Sequence, residues 1–185
     1  TALAYGDAGL YLGDRTGSIG LAEFSGSQRT LARNVLLSIS GLAFRGETAA
    51  AATPEGIYVF RSPFLGPGSD EEAGVEVSRL PAPFGGYTGV EFLDDRRLLA
   101  WQQEPGELAE VDLVTGSSRK LPVGIGSALQ QVSLGPRGLV LVERGGLCRI
   151  LDPQTLEANF RYTGGAVDRL VPTRGDLLVG AGASG

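Results

Sequence analysis

The residues of this chain that could do chemistry are carboxylates set among apolar neighbours. Glu91 and Asp168 are two such groups, with Gln130 and Gln131 as further oxygen donors at comparable places. Several oxygen ligands converging on one point would hold a hard cation. The set is thin, because the places matching Glu91 in an earlier stretch hold Ser40, Gly41 and Ala43, and Asn34 and Asn159 fall towards outer strands or loops. There is no histidine, which removes His-based triads, His metal sites and the usual general base near neutral pH. Cys148 is the single cysteine, so the sequence offers neither an internal disulfide nor a thiolate zinc cluster. Within LCRIL it reads as a small buried hydrophobe, with Arg149 on the opposite strand face. Gly180, Gly182 and Gly185 match G-x-G-x-x-G, a phosphate cradle when a helix follows a strand. No helical pattern surrounds them, and the motif reads as a turn. No catalytic set, cofactor or metal is expected.

The elements that must position these groups follow from a repeat. Glycine recurs in one local setting at Gly17, Gly56, Gly106, Gly146 and Gly185, at intervals of 39, 50, 40 and 39. A period near forty residues signals stacked supersecondary units. The clearest copy is residues 90–116, VEFLDDRRLLAWQQEPGELAEVDLVTG. It reads as strands at 90–93, 97–102 and 107–113 with a fourth at 119–122, since apolar residues alternate and Asp94-Asp95-Arg96 and Glu104-Pro105-Gly106 are turn chemistry. The run Ala49–Ala52 favours helix by propensity, but its place in the repeat assigns it to a strand. Runs such as 139–142 and 177–179 are nearly continuously apolar, as in strands buried on both faces.

The copy at 90–116 resembles a WD-type propeller repeat, V-A-F-S-P-D-G-x-L-L-A-S-G-S-x-D-G-x-V-x-L-W-D-x-x-T-G, without a gap. Further copies stand at 132–156, 42–60 and 3–24, and a last one begins near Val167. The resemblance implies an all-β fold, a β-propeller of four-stranded antiparallel blades with about four and a half blades in this chain. The repeats fall near 1–34, 35–84, 85–124, 125–163 and 164–185, forming one propeller segment over 1–185. There is no Gly-His dipeptide, and Trp-Asp becomes Val111-Asp112 and Leu151-Asp152. The turn style is also similar to that of YVTN, TolB and quinoprotein-like propellers, so the likeness is to the wider superfamily. Because a propeller must close, the segment is expected to belong to a larger ring, of the six to eight blades common in the families it resembles, or else to a compact five-bladed ring completed from outside. The last blade then needs the rest of the propeller or another chain. The absence of methionine, even at position 1, points the same way, to a processed or excised piece.

The one long interval locates an insertion at 61–74, rich in proline and glycine. It reads as a solvated loop or, more sharply, as a docking loop with Phe64 and Leu65 as apolar anchor and Asp70, Glu71 and Glu72 as its charge. Trp101 stands where the resembled family has a small residue. It is expected to pack between blades, the alternative being a ring facing a ligand near the channel mouth. The turns between second and third strands, with the loops leading into each blade, place Arg15, Glu55, Phe84, Tyr87, Glu104 and Arg144 on one rim. Aromatic residues and arginine are the types that anchor interfaces.

A net charge of −5, with Lys120 the one lysine, argues against nucleic acid. No apolar run is long enough to span a membrane. The compartment stays open between cytoplasm and a soluble extracytoplasmic site. The expected function is a protein-interaction, scaffold or sensor propeller domain of a larger protein, binding its partner through one face, and not an enzyme. The alternatives are a propeller hydrolase or lactonase using channel carboxylates and a metal, or a small-molecule or glycan-binding propeller.

Overall fold

In a computed structural model the described residues are 2–6, 9–32, 38–46, 48–61, 76–80, 86–135, 138–162, 169–172 and 178–181. They form antiparallel strands throughout and no helix, hence none long and apolar enough to cross a membrane. A first sheet joins β1 (Ala2–Gly6), β2 (Gly9–Gly13), β3 (Ile19–Glu23) and β4 (Gln28–Ala32) in chain order. The second joins β5 (Gly41–Arg45), β6 (Thr48–Thr53), β7 (Gly56–Arg61) and β8 (Glu76–Leu80). The third joins β9 (Gly89–Phe92), β10 (Arg97–Gln102), β11 (Glu107–Asp112) and β12 (Ser118–Lys120). The fourth joins β13 (Leu129–Gly135), β14 (Gly138–Glu143), β15 (Cys148–Leu151) and β16 (Ala158–Tyr162). Two strands, β17 (Arg169–Pro172) and β18 (Leu178–Ala181), pair beyond it. The chain divides into two compact units, residues 1–101 with 109–120, and residues 102–108 with 121–185.

Turns rich in glycine set the strand lengths. Gly17, Gly56, Gly106 and Gly146 all have positive φ between second and third strands. At Gly106 the requirement is double, since a Cβ would also lie 2.5 Å from the Ser127 carbonyl oxygen.

The core of the first unit lies between sheets. Ala2, Tyr11, Ile19 and Leu21 of the first sheet meet Leu42, Ala49, Ala51 and Phe60 of the second. Tyr11 stacks on Phe44 with ring centroids 3.6 Å apart. The other face of the second sheet, with Ala50, Ala52, Ile57, Val59 and Leu80, meets Val90, Phe92, Leu98, Ala100 and Val111 of the third. Successive alanines of β6 thus point to opposite sheets, as the pleat requires. Their small size admits close approach on both sides, which overrides helix propensity. β5 and β9 come closer still, for a Cβ on Gly41 would sit 2.5 Å from the Gly89 Cα. In the second unit β17 lies against β13 and β14, and Val140, Val142, Cys148 and Ile150 form a buried cluster.

One backbone hydrogen bond recurs where the chain passes from one sheet to the next. The N–H of Ile39 donates to the Asp14 carbonyl (3.0 Å), that of Tyr87 to Thr53 (3.1 Å) and that of Leu129 to Gln103 (3.0 Å). In each case the end of a second strand accepts the N–H of a residue at the entry to the next sheet's first strand.

The turns after third strands also share a design. Asp112 Oδ1 accepts the N–H groups of Val114 and Thr115, both at 2.8 Å, and Gly116 closes the turn at φ 68°. Asp152 Oδ1 likewise accepts from Gln154 (2.8 Å) and Thr155 (2.9 Å), but Leu156 takes the closing place at φ 61°. A left-handed conformation costs an L-residue about 1–2 kcal/mol, part of which a glycine loses again in unfolded-chain entropy. Leu156→Gly is therefore expected to raise stability by up to about 1 kcal/mol, and Gly116→Leu to lower it. Urea unfolding checks both, and changes of the opposite sign would overturn the account.

Candidate functional site

The turns joining second and third strands are the candidate site, built as rigid backbone carrying charged tips. In the first unit, Asp14 Oδ1 accepts the N–H of Thr16 (2.8 Å), the N–H of Ser18 (3.0 Å) and the Thr16 hydroxyl (2.7 Å). The Thr16 hydroxyl and the Ser18 amide lead the donors that hold the Asp14 carboxyl below the usual carboxylate range. Arg15 stands exposed on this turn. Glu55, also exposed, has its backbone N–H held by Thr53 Oγ1 at 3.2 Å. Its carboxylate lies 4.0 Å from an Arg79 guanidinium nitrogen, and its carbonyl accepts from Arg79 Nη2 at 2.7 Å.

In the second unit, Glu104 and Arg144 face each other from successive sheets, with Oε1 and Nη2 2.6 Å apart. Both side chains are largely exposed, so the pair is worth at most about 1 kcal/mol. The backbone beneath is better fixed. The Arg144 N–H donates to Ala128 O (2.7 Å), and the Ser127 hydroxyl donates to the Arg144 carbonyl (2.9 Å).

Tyr87 departs from the expectation of a rim residue. It is buried at 3% exposure between the second and third sheets, and burial raises its phenol pKa. The physical reason is the crossing bond to Thr53, which draws Tyr87 inward as it draws Ile39 and Leu129. The readable signal was that this place is apolar in all three copies. Phe84 and the insertion residues Phe64, Leu65, Asp70, Glu71 and Glu72 lie outside the described residues, as does Asp168.

Glu143 stands next to Arg144 in the sequence. It lies at the buried end of β14, 1% exposed, accepting the N–H groups of Gly126 (2.9 Å) and Ser127 (3.2 Å). Arg149 Nη2 donates to its other oxygen. One carboxylate thus ties the entry loop of the fourth sheet to that sheet's third strand. Arg149 turns away from Cys148, whose thiol is buried with Val140 and Val142 and raised in pKa by desolvation.

Among the inner-strand groups, Glu91 is half-buried on β9, and burial outweighs the Phe92 amide to push its pKa up to about 7. Gln131 Nε2 donates to Ser133 Oγ at 3.1 Å, and Gln130 is exposed. Among the described residues no group of three His, Cys, Asp or Glu side chains comes together as metal ligands. Trp101 is only half-buried and covers the opposed Gly89, where a Cβ would lie 2.0 Å from the indole. A bare glycine in β9 leaves the space that the ring fills.

Two measurements follow. Glu143→Ala strands the buried Arg149 charge and two amides, so a loss of about 3–5 kcal/mol is expected in denaturant unfolding. The paired change Glu143→Leu with Arg149→Leu should recover much of it, and equal losses in both would overturn the assignment. Glu91 has a raised folded-state pKa, so its contribution is complete below its ordinary value near 4.5 and is lost as pH rises through about 7. Glu91→Gln should therefore melt above the parent chain at pH 8 and with it at pH 4; parallel profiles would count against the shift. The turn aspartates Asp14, Asp112 and Asp152 act with the opposite sign, their depressed pKa values giving stability that is lost as pH falls.

No family model matches the sequence, and no curated protein matches it. In fold it resembles 423 solved chains, so common an arrangement that it carries no activity with it. One of them is the computationally designed protein Ika8, at a TM-score of 0.71 and 18% identity. The match covers 98% of this chain and 55% of that one, so the chain spans about half the length of the protein it resembles. What the likeness shows is the all-β fold of antiparallel sheets.

Proposed function

We propose that the four-stranded sheets are blades of a β-propeller of the WD and YVTN-like kind, and that residues 1–185 are a segment of it. Its role is protein interaction, as a scaffold or sensor within a larger protein, through the turns between second and third strands. The two-stranded sheet β17–β18 is completed by strands from another segment or chain. The observation that carries this reading is the contrast within the turns. Their backbones are fixed by Asp14, Thr53 and Ser127, while Arg15, Glu55, Glu104 and Arg144 stay exposed at the tips. Rigid loops bearing arginine bind with little ordering cost, which favours recognition.

A second reading rests on Glu91. A carboxyl titrating near neutrality can serve as general acid or base, which suits a hydrolase of the lactonase type using inner-strand carboxylates.

Quantitative recovery of bound proteins separates the two. The chain carrying Arg15→Glu and Arg144→Glu is expected to lose its partner at least tenfold while keeping its circular dichroism spectrum. Recovery unchanged by both charge reversals would overturn the choice of face. Loss on deleting 62–73 alone would move the site to the insertion. Ester or lactone hydrolysis abolished by Glu91→Gln would establish the enzymatic reading instead.

A further inference from the structure

In the second unit two turns are mounted on one short loop, residues 125–129, and each presents a charge. The β10–β11 turn is fastened through the Gln103 carbonyl, which accepts the Leu129 N–H at 3.0 Å. Gly106 of the same turn packs so closely that a Cβ there would lie 2.5 Å from the Ser127 carbonyl oxygen. The β14–β15 turn is fastened several times over. The Arg144 N–H donates to Ala128 O (2.7 Å), and the Arg144 carbonyl accepts the Ser127 hydroxyl (2.9 Å). The Glu143 carboxylate accepts the Gly126 and Ser127 amides at 2.9 and 3.2 Å. Glu104 and Arg144 therefore do not ride on independent loops. They form one rigid element, with opposite charges 2.6 Å apart and side chains 62% and 60% exposed.

The surroundings leave this element open to the backbone of a partner. Pro105 and Gly145, the next residues in the chain, are exposed, as are Gly124 and Gly126 beside them in sequence to the loop. A Cβ on Gly124 or Gly145 would meet nothing within 4 Å. In the first unit the corresponding Glu55 behaves differently, its carboxylate turning to Arg79 of its own sheet at 4.0 Å. The exposed Glu104–Arg144 pair contributes little to folding, because water screens it and two long side chains are ordered to hold it. Across a dry contact the same charges couple much more strongly to opposite charges of a partner. Opening the pair on binding therefore loses less than two new pairs gain, and the fixed backbone keeps the ordering cost low.

We propose that Glu104 and Arg144 act together as a two-charge reader for a polypeptide segment carrying a basic and an acidic side chain close together. Glu104 takes the basic group and Arg144 the acidic one, so the internal pair is exchanged for two intermolecular ones. Both side chains are too exposed to enclose a small zwitterion, whereas a segment lying over the glycines reaches both at once. The proposal rests on the reading of these turns as the binding face and adds the chemistry of what they bind.

Selection from a displayed library of random peptides on the purified chain tests the proposal, with the charge-exchanged chain Glu104→Arg, Arg144→Glu as comparison. That chain keeps an internal pair and should keep the parent's circular dichroism spectrum. Peptides enriched on the parent are expected to carry an acidic and a basic residue close together. Their affinity should fall at least about tenfold on the exchanged chain, and as far on Glu104→Gln with Arg144→Gln. Equal binding to the parent and the exchanged chain would overturn the proposal, as would enriched peptides with charge of one sign or none. A selection that enriches nothing would overturn it too. Peptides weakened by Arg15→Glu but indifferent to the exchange would overturn the pairing and leave the face standing. Indifference to both would remove the functional reading as well.

Discussion

Passing the chain from the edge of one sheet to the inner strand of the next is the constraint on which this architecture depends. Ile39, Tyr87 and Leu129 are buried where they enter the next sheet, and an unpaired buried amide there would cost free energy comparable to a lost hydrogen bond. The carbonyl that ends each second strand answers it, at Asp14, Thr53 and Gln103. Because that carbonyl is fixed by the β-ladder, the incoming residue is fixed too, and its side chain is carried into the core. Ile39, Tyr87 and Leu129 are all buried for this reason. The turn that follows each of those carbonyls inherits the same rigidity, so the exposed charges sit on a scaffold set from within.

Much of this could be read in the sequence because local chemistry and global fold agree. The glycines spaced near forty residues adopt the positive φ that their turns require, at Gly17, Gly56, Gly106 and Gly146. The strand expected at 97–102 is Arg97–Gln102, and the alanine run is a strand. What could not be read depends on which sheet lies opposite. Tyr87 looked like an interface aromatic because its burial is decided by a bond to a residue 34 positions away. Glu143 and Arg144 are adjacent charges, yet one step along the chain turns the first inward and the second outward. The pairing of Glu104 with Arg144 joins two turns and has no trace in either. Asp152 marked its turn, but nothing in Leu156 signals the positive φ that it shares with Gly116 of the sister copy.

Two carboxylates withdrawn from water, Glu143 and Glu91, show how differently burial can be handled. Glu143 is almost wholly enclosed but meets two backbone amides and a guanidinium. Its charge is satisfied in place and fastens a loop. Glu91 is less enclosed, but burial outweighs the single amide that favours its charged form, so its proton is held more firmly. The first arrangement is that of a structural clasp. The second is a group still able to exchange a proton near neutrality, which is why it alone sustains an enzymatic alternative.

The contact between Trp101 and Gly89 has an optical consequence. The chain has one tryptophan, and its ring rests on the backbone of the neighbouring strand. Opening of the β9–β10 pair would move the indole from peptide into water, which shifts emission to longer wavelength. The third sheet therefore carries its own fluorophore, and the intrinsic fluorescence of the whole chain reports on that one pair of strands.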